Sequence, residues 1–155
     1  MTTNASLSRR FDSALAILRV IAGSIFIAHG AQKLFVFGFA GVSGAFGQMG
    51  IPLPGLMGPF IALLEFFGGI ALVIGLLTRL ASLGLTFNML GAIAMVHLKA
   101  GFFNPAGIEF PLALVGMNLA LVFAGAGGFS LDAVIATRRA KVVRTATPQL
   151  QRQAA

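Results

Sequence analysis

Apolar residues fall into four long runs, separated by short stretches rich in glycine, proline or charge. The runs cover residues 14–37, 55–77, 80–98 and 110–131. A helix rises 1.5 Å per residue, so about 20 residues cross roughly 30 Å of hydrocarbon. Each run is near or above that length. Runs this long are not lone strands, and no ten-residue alternation of the kind used by outer-membrane barrels is present. The pattern predicts an all-α, four-helix transmembrane bundle. Thr78-Arg79 is almost all that separates the second run from the third, so these two form a tight antiparallel hairpin.

Residues 38–59 interrupt the pattern. The stretch Gly50-Ile51-Pro52-Leu53-Pro54 cannot continue a helix. Before it, Phe39, Val42, Phe46 and Met49 recur at helical spacing, which predicts a short amphipathic or re-entrant segment in the first outer loop. The second outer loop is 99–109. The organisation expected is an N-terminal segment 1–13, a transmembrane domain 14–132, and a basic tail 133–155, disordered in its last part.

Composition narrows the class. Residues of the set AVILMFWYC make up 57% of the 155, and charged residues only 10%, against about 25% charged in soluble domains. So few polar side chains cannot cover a water-soluble fold of this size. There is no length for a separate soluble catalytic domain. Cysteine is absent, which excludes disulfides, thiolate metal ligands, cysteine-held iron–sulfur clusters and dithiol relays. Trp and Tyr are absent too, and 15 Phe supply the aromatic content.

The net charge of +7 does not point to nucleic acid, because its positions are those of a membrane protein. Arg9, Arg10, Arg138, Arg139, Lys141, Arg144 and Arg152 flank the apolar region. With both termini in the cytoplasm, Arg79 and a snorkelling Arg19 join them on the inner side, and only Lys33 and Lys99 lie outside. The basic first run also resembles a signal peptide with a weak small-x-small site at Ala28-His29-Gly30, but an uncleaved helix keeps the even-span topology. The expected location is the inner membrane, with the bilayer, membrane or redox complex subunits, or a second copy as partners.

Ionisable groups inside the spans carry the chemistry, since each costs about 2.5–3.5 kcal/mol at a helix centre. His29 and Lys33 are four apart on the first helix, Glu65 is the one charge of the second, His97 ends the third, and Glu109 precedes the fourth. His29 and Glu65 both fall roughly 9–10 Å below the outer helix ends. Two imidazoles, two carboxylates and an ammonium at one level would form a proton relay or a polar ligand pocket. The alternatives are structural: a snorkelling Lys33, interfacial His97 and Glu109, and a neutral His29 bonded between helices. A lone carboxylate at the depth of Glu65 needs a partner or a task. No dense HxxxH or ExxH motif supports a metal site. Asn88 and Asn118 sit at mid-span and fit bonds between helices, and Gly68, Gly69, Gly75, Gly84 and Gly91 fit close helix approach. A quinone slot along Phe66 and Phe67 is compatible with the spacing.

These residues together resemble the DoxX family of small four-helix membrane proteins. Arg19, Gly23, His29-Gly30 and Lys33-Leu34 match its first helix, and Gly50-Ile51-Pro52, Glu65, Gly68-Gly69 and Gly75-Leu76-Leu77-Thr78-Arg79 its second block. His97, Gly101-Phe102-Phe103 and Glu109 are similar to the third block, and Gly125 to Gly128 with Ser130-Leu131-Asp132 to the last. The resemblance implies a four-helix bundle and a link to redox chemistry, since the family is related to DoxD, a subunit of an archaeal thiosulfate:quinone oxidoreductase, and some bacterial members are linked to oxidative-stress complexes. Without cysteine, electron transfer would need a quinone or a partner's cofactor. Family membership implies fold more strongly than chemistry.

Overall fold

The computed structural model describes residues 2–141 and, among them, only helices, turns and loops. Helix α1 (Thr2–Ala31) runs into a wide π-helical turn, Gln32–Phe37. Gly38, at φ +65°, redirects the chain into α2 (Gly38–Gln48). Helix α3 (Pro54–Ile74) begins with proline in its first turn, where the missing N–H costs nothing. It stops at Gly75, whose left-handed φ of +70° lets its N–H cap the Leu72 carbonyl. Helix α4 (Thr78–Ala92) continues through a second π turn, Ile93–His97, and a 3-10 turn, Leu98–Ala100. Helix α5 (Glu109–Ala124) and a helix over 131–141, here α6, complete the described chain.

Several boundaries differ from the sequence pattern. Residues 2–13 are helical and continuous with α1 rather than a separate segment. The α3–α4 joint is Gly75–Leu77, with Thr78 already in α4. The fourth apolar run does not form one helix to residue 131: α5 ends at Ala124, and Gly125 and Gly127 adopt positive φ in the following loop. Apolar composition alone does not register a backbone break that glycine permits. Residues 133–141 of the expected tail belong to α6, and the disorder expected beyond about Arg144 lies outside the described residues.

Among the described residues three apolar helices are long enough to cross a membrane, Ala5–Gln48, Pro54–Ile74 and Thr78–Ala100, and the shorter Glu109–Ala124 accompanies them. At 16 residues, α5 is about 24 Å long, somewhat less than the hydrocarbon thickness. The distribution of side chains is that of a bilayer protein. Phe35, Phe103 and Phe123 are 74%, 77% and 78% exposed, whereas Arg19, Glu65, Thr78, Ser82, Thr86 and Asn118 are buried. Water would not tolerate that surface, and lipid does.

The core lies where α1, α3, α4 and α5 meet, around Ala22, Phe26, Leu72, Leu85 and Leu121. Glycine sets the α1–α3 spacing. A Cβ on Gly23 would lie 2.7 Å from the Gly69 carbonyl oxygen, and one on Gly69 would lie 2.7 Å from that of Gly23. The two backbones touch, as small residues in membrane helices allow. Gly68 and Gly84 likewise admit Leu85 and Leu64, but Gly91 faces open space.

Candidate intramembrane site

Glu65 lies about halfway along α3, roughly 16 Å from its first residue at 1.5 Å per residue. It is 4% exposed. Its Oε2 accepts a hydrogen bond and ion pair from Lys33 Nζ at 2.5 Å, and its Oε1 accepts one from Asn88 Nδ2 at 2.9 Å. One carboxylate therefore ties α1, α3 and α4 together, with both oxygens partnered. Charge and hydrogen bonds together offset the desolvation that an isolated carboxylate would suffer at this depth.

Lys33 reaches Glu65 because of how α1 ends. The Gly30 backbone lies directly on Phe66, where an added Cβ would come within 2.4 Å of the Phe66 nitrogen. One turn later the helix widens into the 32–37 π turn, a distortion that often accompanies functional positions. That turn carries Lys33 toward α3.

The triad forms the polar end of a cavity of about 610 Å³ beside α3 and α4. Phe46 from α2 and Met49 just after it, Phe60 and Leu64 from α3, Phe87 from α4 and Met95 from the π turn that follows form much of its apolar wall. Gly84 and Gly91 keep the α4 side open, which explains why Gly91 has no packing partner. Phe66 and Phe67 do not line it: they pair with each other at 5.3 Å, and Phe66 also packs edge-on against Phe35.

The five ionisable groups expected at one level separate into three places. Lys33 and Glu65 meet at the cavity. His29 is exposed on α1, with its ring centroid 6.4 Å from that of Phe110. His97 and Glu109 instead close the 98–109 loop: His97 Nδ1 bonds with the Ala106 carbonyl at 2.7 Å, and the Asn104 amide donates to Glu109 Oε1 at 2.8 Å. Among the described residues, no three His, Asp or Glu side chains gather as metal ligands. Asn88, read from the sequence as a helix-to-helix bond, is that and also part of the site.

A second polar cluster occupies the opposite end, where the sequence reading placed a snorkelling Arg19. Arg19 is 1% exposed. It donates to the Leu72 and Val73 carbonyls of the last turn of α3 at 3.1 and 3.4 Å, the first shared with the Gly75 amide, and to the Phe129 carbonyl at 2.5 Å. Close by, Asp132 accepts from the Leu77 and Thr78 amides, Asp12 accepts from Gly128, and Arg79 donates to Phe123. Arg19 does not reach for headgroups because its guanidinium is held by these carbonyls. Gly75 makes room for it, since a Cβ there would lie 2.3 Å from its Nη1.

The fold and this site define a class: a small helical integral membrane protein with an ion pair buried in its transmembrane bundle, facing an apolar cleft. The DoxX family model matches residues 14–98, and the chain belongs to the DoxX family. It is 36% identical over 118 residues to the Bacillus subtilis protein named "Putative oxidoreductase CatD", covering 74% of this chain and 83% of that one. It is 32% identical to "Inner membrane protein YqjF" of Escherichia coli, covering 80% and 93%, and 29% identical to "Uncharacterized membrane protein Rv3486" of Mycobacterium tuberculosis, covering 78% and 80%. No solved structure matches it significantly.

Proposed function

We propose that this DoxX protein is a four-span inner-membrane subunit of a redox system, with both termini in the cytoplasm, that binds a quinone or a similar amphipathic solute in the α3–α4 cleft. The observation carrying this reading is the cavity of about 610 Å³ with apolar walls and Lys33, Glu65 and Asn88 at one end. That volume lies within the range of small-molecule sites. The oxidoreductase name of the Bacillus relative supports the redox association, and the basic residues at both ends of the apolar region support the orientation. In this reading α5 is the fourth span, and the loop after it is accommodated because Gly125, Ala126 and Ser130 are buried in protein. Helix α2 is the re-entrant or interfacial element, its Ser43 lying against Gly58 of α3.

The residues fit the head of such a ligand. Each Glu65 oxygen already accepts one bond, and the donors open to a ligand are the two remaining N–H groups of Lys33 and one N–H of Asn88, with the Asn88 carbonyl oxygen as a further acceptor. A bound quinone would supply the electron-carrying ring. Lys33 would hold one of its carbonyl oxygens, Asn88 would fix ring orientation, and Glu65 would keep the ammonium in place and exchange its proton. The site's net charge of zero suits a neutral head.

The test is equilibrium binding of a short-tailed ubiquinone analogue to purified protein in detergent. Glu65→Gln and Lys33→Met should each weaken binding at least about tenfold, the equivalent of about 1.4 kcal/mol, since bonds to charged groups are worth about 1.5–3 kcal/mol. His29→Ala, outside the cleft, should leave binding unchanged. Wild-type affinity in both site variants would overturn the proposal. A second reading is favoured by the triad's link between three helices: the cluster is a helix clamp in a non-catalytic assembly subunit. It predicts lower thermal stability and poorer recovery of partner complexes in the same variants, with no quinone binding by the wild type. A proton or solute pathway is a third reading, and proton flux in liposomes would separate it.

A further inference from the structure

The end of the bundle that carries Arg19 has its own groove, of about 500 Å³, between the start of α4, the end of α5 and the start of α6. Leu77, Leu80, Ala124 and Ala133 contribute its apolar lining, and Leu77 and Leu80 are 60% and 66% exposed. Its polar groups are mostly committed to the fold. Asp132 accepts the Leu77 and Thr78 amides, and Ser130 Oγ donates to the Gly127 carbonyl and accepts from the Ala133 amide. Arg79 differs. It is exposed, makes a single 3.2 Å bond to the Phe123 carbonyl, and has no carboxylate within ion-pair distance among the described residues. Its guanidinium lies over Gly125, where the missing side chain leaves it room.

We propose that this groove binds an anionic phospholipid of the adjoining leaflet, the phosphate on the Arg79 guanidinium and an acyl chain along Leu77 and Leu80. Charge complementarity selects the occupant. A guanidinium without a counter-ion matches a phosphate in a two-pronged geometry, and the apolar residues beside it match a lipid tail rather than a hydrated ion. The Asp132 carboxylate, which lines the same groove, makes no ion pair with Arg79; its oxygens accept the amides of Leu77 and Thr78. The site is separate from the α3–α4 cleft and does not depend on what that cleft binds.

Native mass spectrometry of the full chain in detergent tests it, with dioleoylphosphatidylglycerol as probe and dioleoylphosphatidylcholine as the zwitterionic comparison. One phosphatidylglycerol should bind in preference to phosphatidylcholine, and Arg79→Gln should weaken it at least tenfold while keeping a donor for the Phe123 carbonyl. Arg79→Lys should retain part of the affinity. Arg10→Ala, on the exposed start of α1, should leave it intact. Equal losses in Arg10→Ala and Arg79→Gln would mean diffuse attraction and overturn the site. So would unchanged binding in Arg79→Gln, or displacement of the lipid by inorganic phosphate at millimolar concentration. Helix content of each variant by circular dichroism separates loss of the site from loss of the fold.

Discussion

The contact between Gly30 and Phe66 positions the ion pair, and Gly30→Ala puts that dependence to a quantitative test. An alanine Cβ would fall 2.4 Å from the Phe66 nitrogen and 2.7 Å from its Cα. Non-bonded heavy atoms sit comfortably at about 3.5–4.0 Å, so α1 and α3 must separate locally by roughly 1 Å. Both groups are backbone, and no flexible side chain can yield instead. Overpacking of this kind costs about 1–3 kcal/mol. The shift falls one turn before Lys33, so it also lengthens the reach to Glu65. Gly116→Ala on α5 is the control, because nothing lies within 4 Å of a Cβ there, and alanine should gain up to about 1 kcal/mol in helix propensity. Neither Trp nor Tyr is present, so unfolding in mixed detergent is best followed by circular dichroism. Gly30→Ala should unfold at lower denaturing-detergent fraction than the wild type, and Gly116→Ala at the same or higher. Indistinguishable curves for the two variants would refute the argument that backbone contact sets this helix pair.

Asn88→Ala leaves Glu65 Oε1 without its donor at a buried position, which should cost about 1–3 kcal/mol in the same assay; Glu65→Gln in that background should lower stability further, because Lys33 then loses its counter-ion. Asp132→Ala removes the acceptor for the Leu77 and Thr78 amides and should cost about 0.5–2 kcal/mol, as losing a helix cap does, with faster hydrogen exchange confined to the start of α4.

Sequence pattern carried the helices well and the cluster in part. Apolar runs reported α3 and α4 to within a few residues, since a span must be continuously apolar. They misjudged α5, because Gly125 and Gly127 are as apolar as the helix they end. Cost of burial required a partner for Glu65, and of the two the sequence offered, Lys33 and His29, the pair is made with Lys33. It could not separate His97 and Glu109 from that group, since sequence depth along a helix says nothing of the loop that folds back over its end. Nor could it show which side of α1 packs on α3, where Gly30 meets Phe66, and so that Lys33, and not His29, faces α3. Arg19 was misread for a related reason: the carbonyls that hold it belong to Leu72, Val73 and Phe129, and main-chain acceptors have no residue signature.

The two polar clusters differ in what they bond to, and that difference bears on function. At one end Arg19, Asp12 and Asp132 each bond to main-chain groups. Those partners are fixed by helix ends and a glycine loop, so exchanging one means loosening the backbone. They also join the two separated stretches 75–79 and 125–132, which explains why glycine and charge recur together in both. At the other end, Lys33, Glu65 and Asn88 bond side chain to side chain beside a cavity. Lysine and asparagine can turn toward a ligand while the helices stay in place, and binding energy can offset the bonds they give up. The ion pair that can change partners, next to space that can hold one, is therefore where ligand chemistry is expected, and the arginine cluster is the frame that keeps the helices in register beneath it.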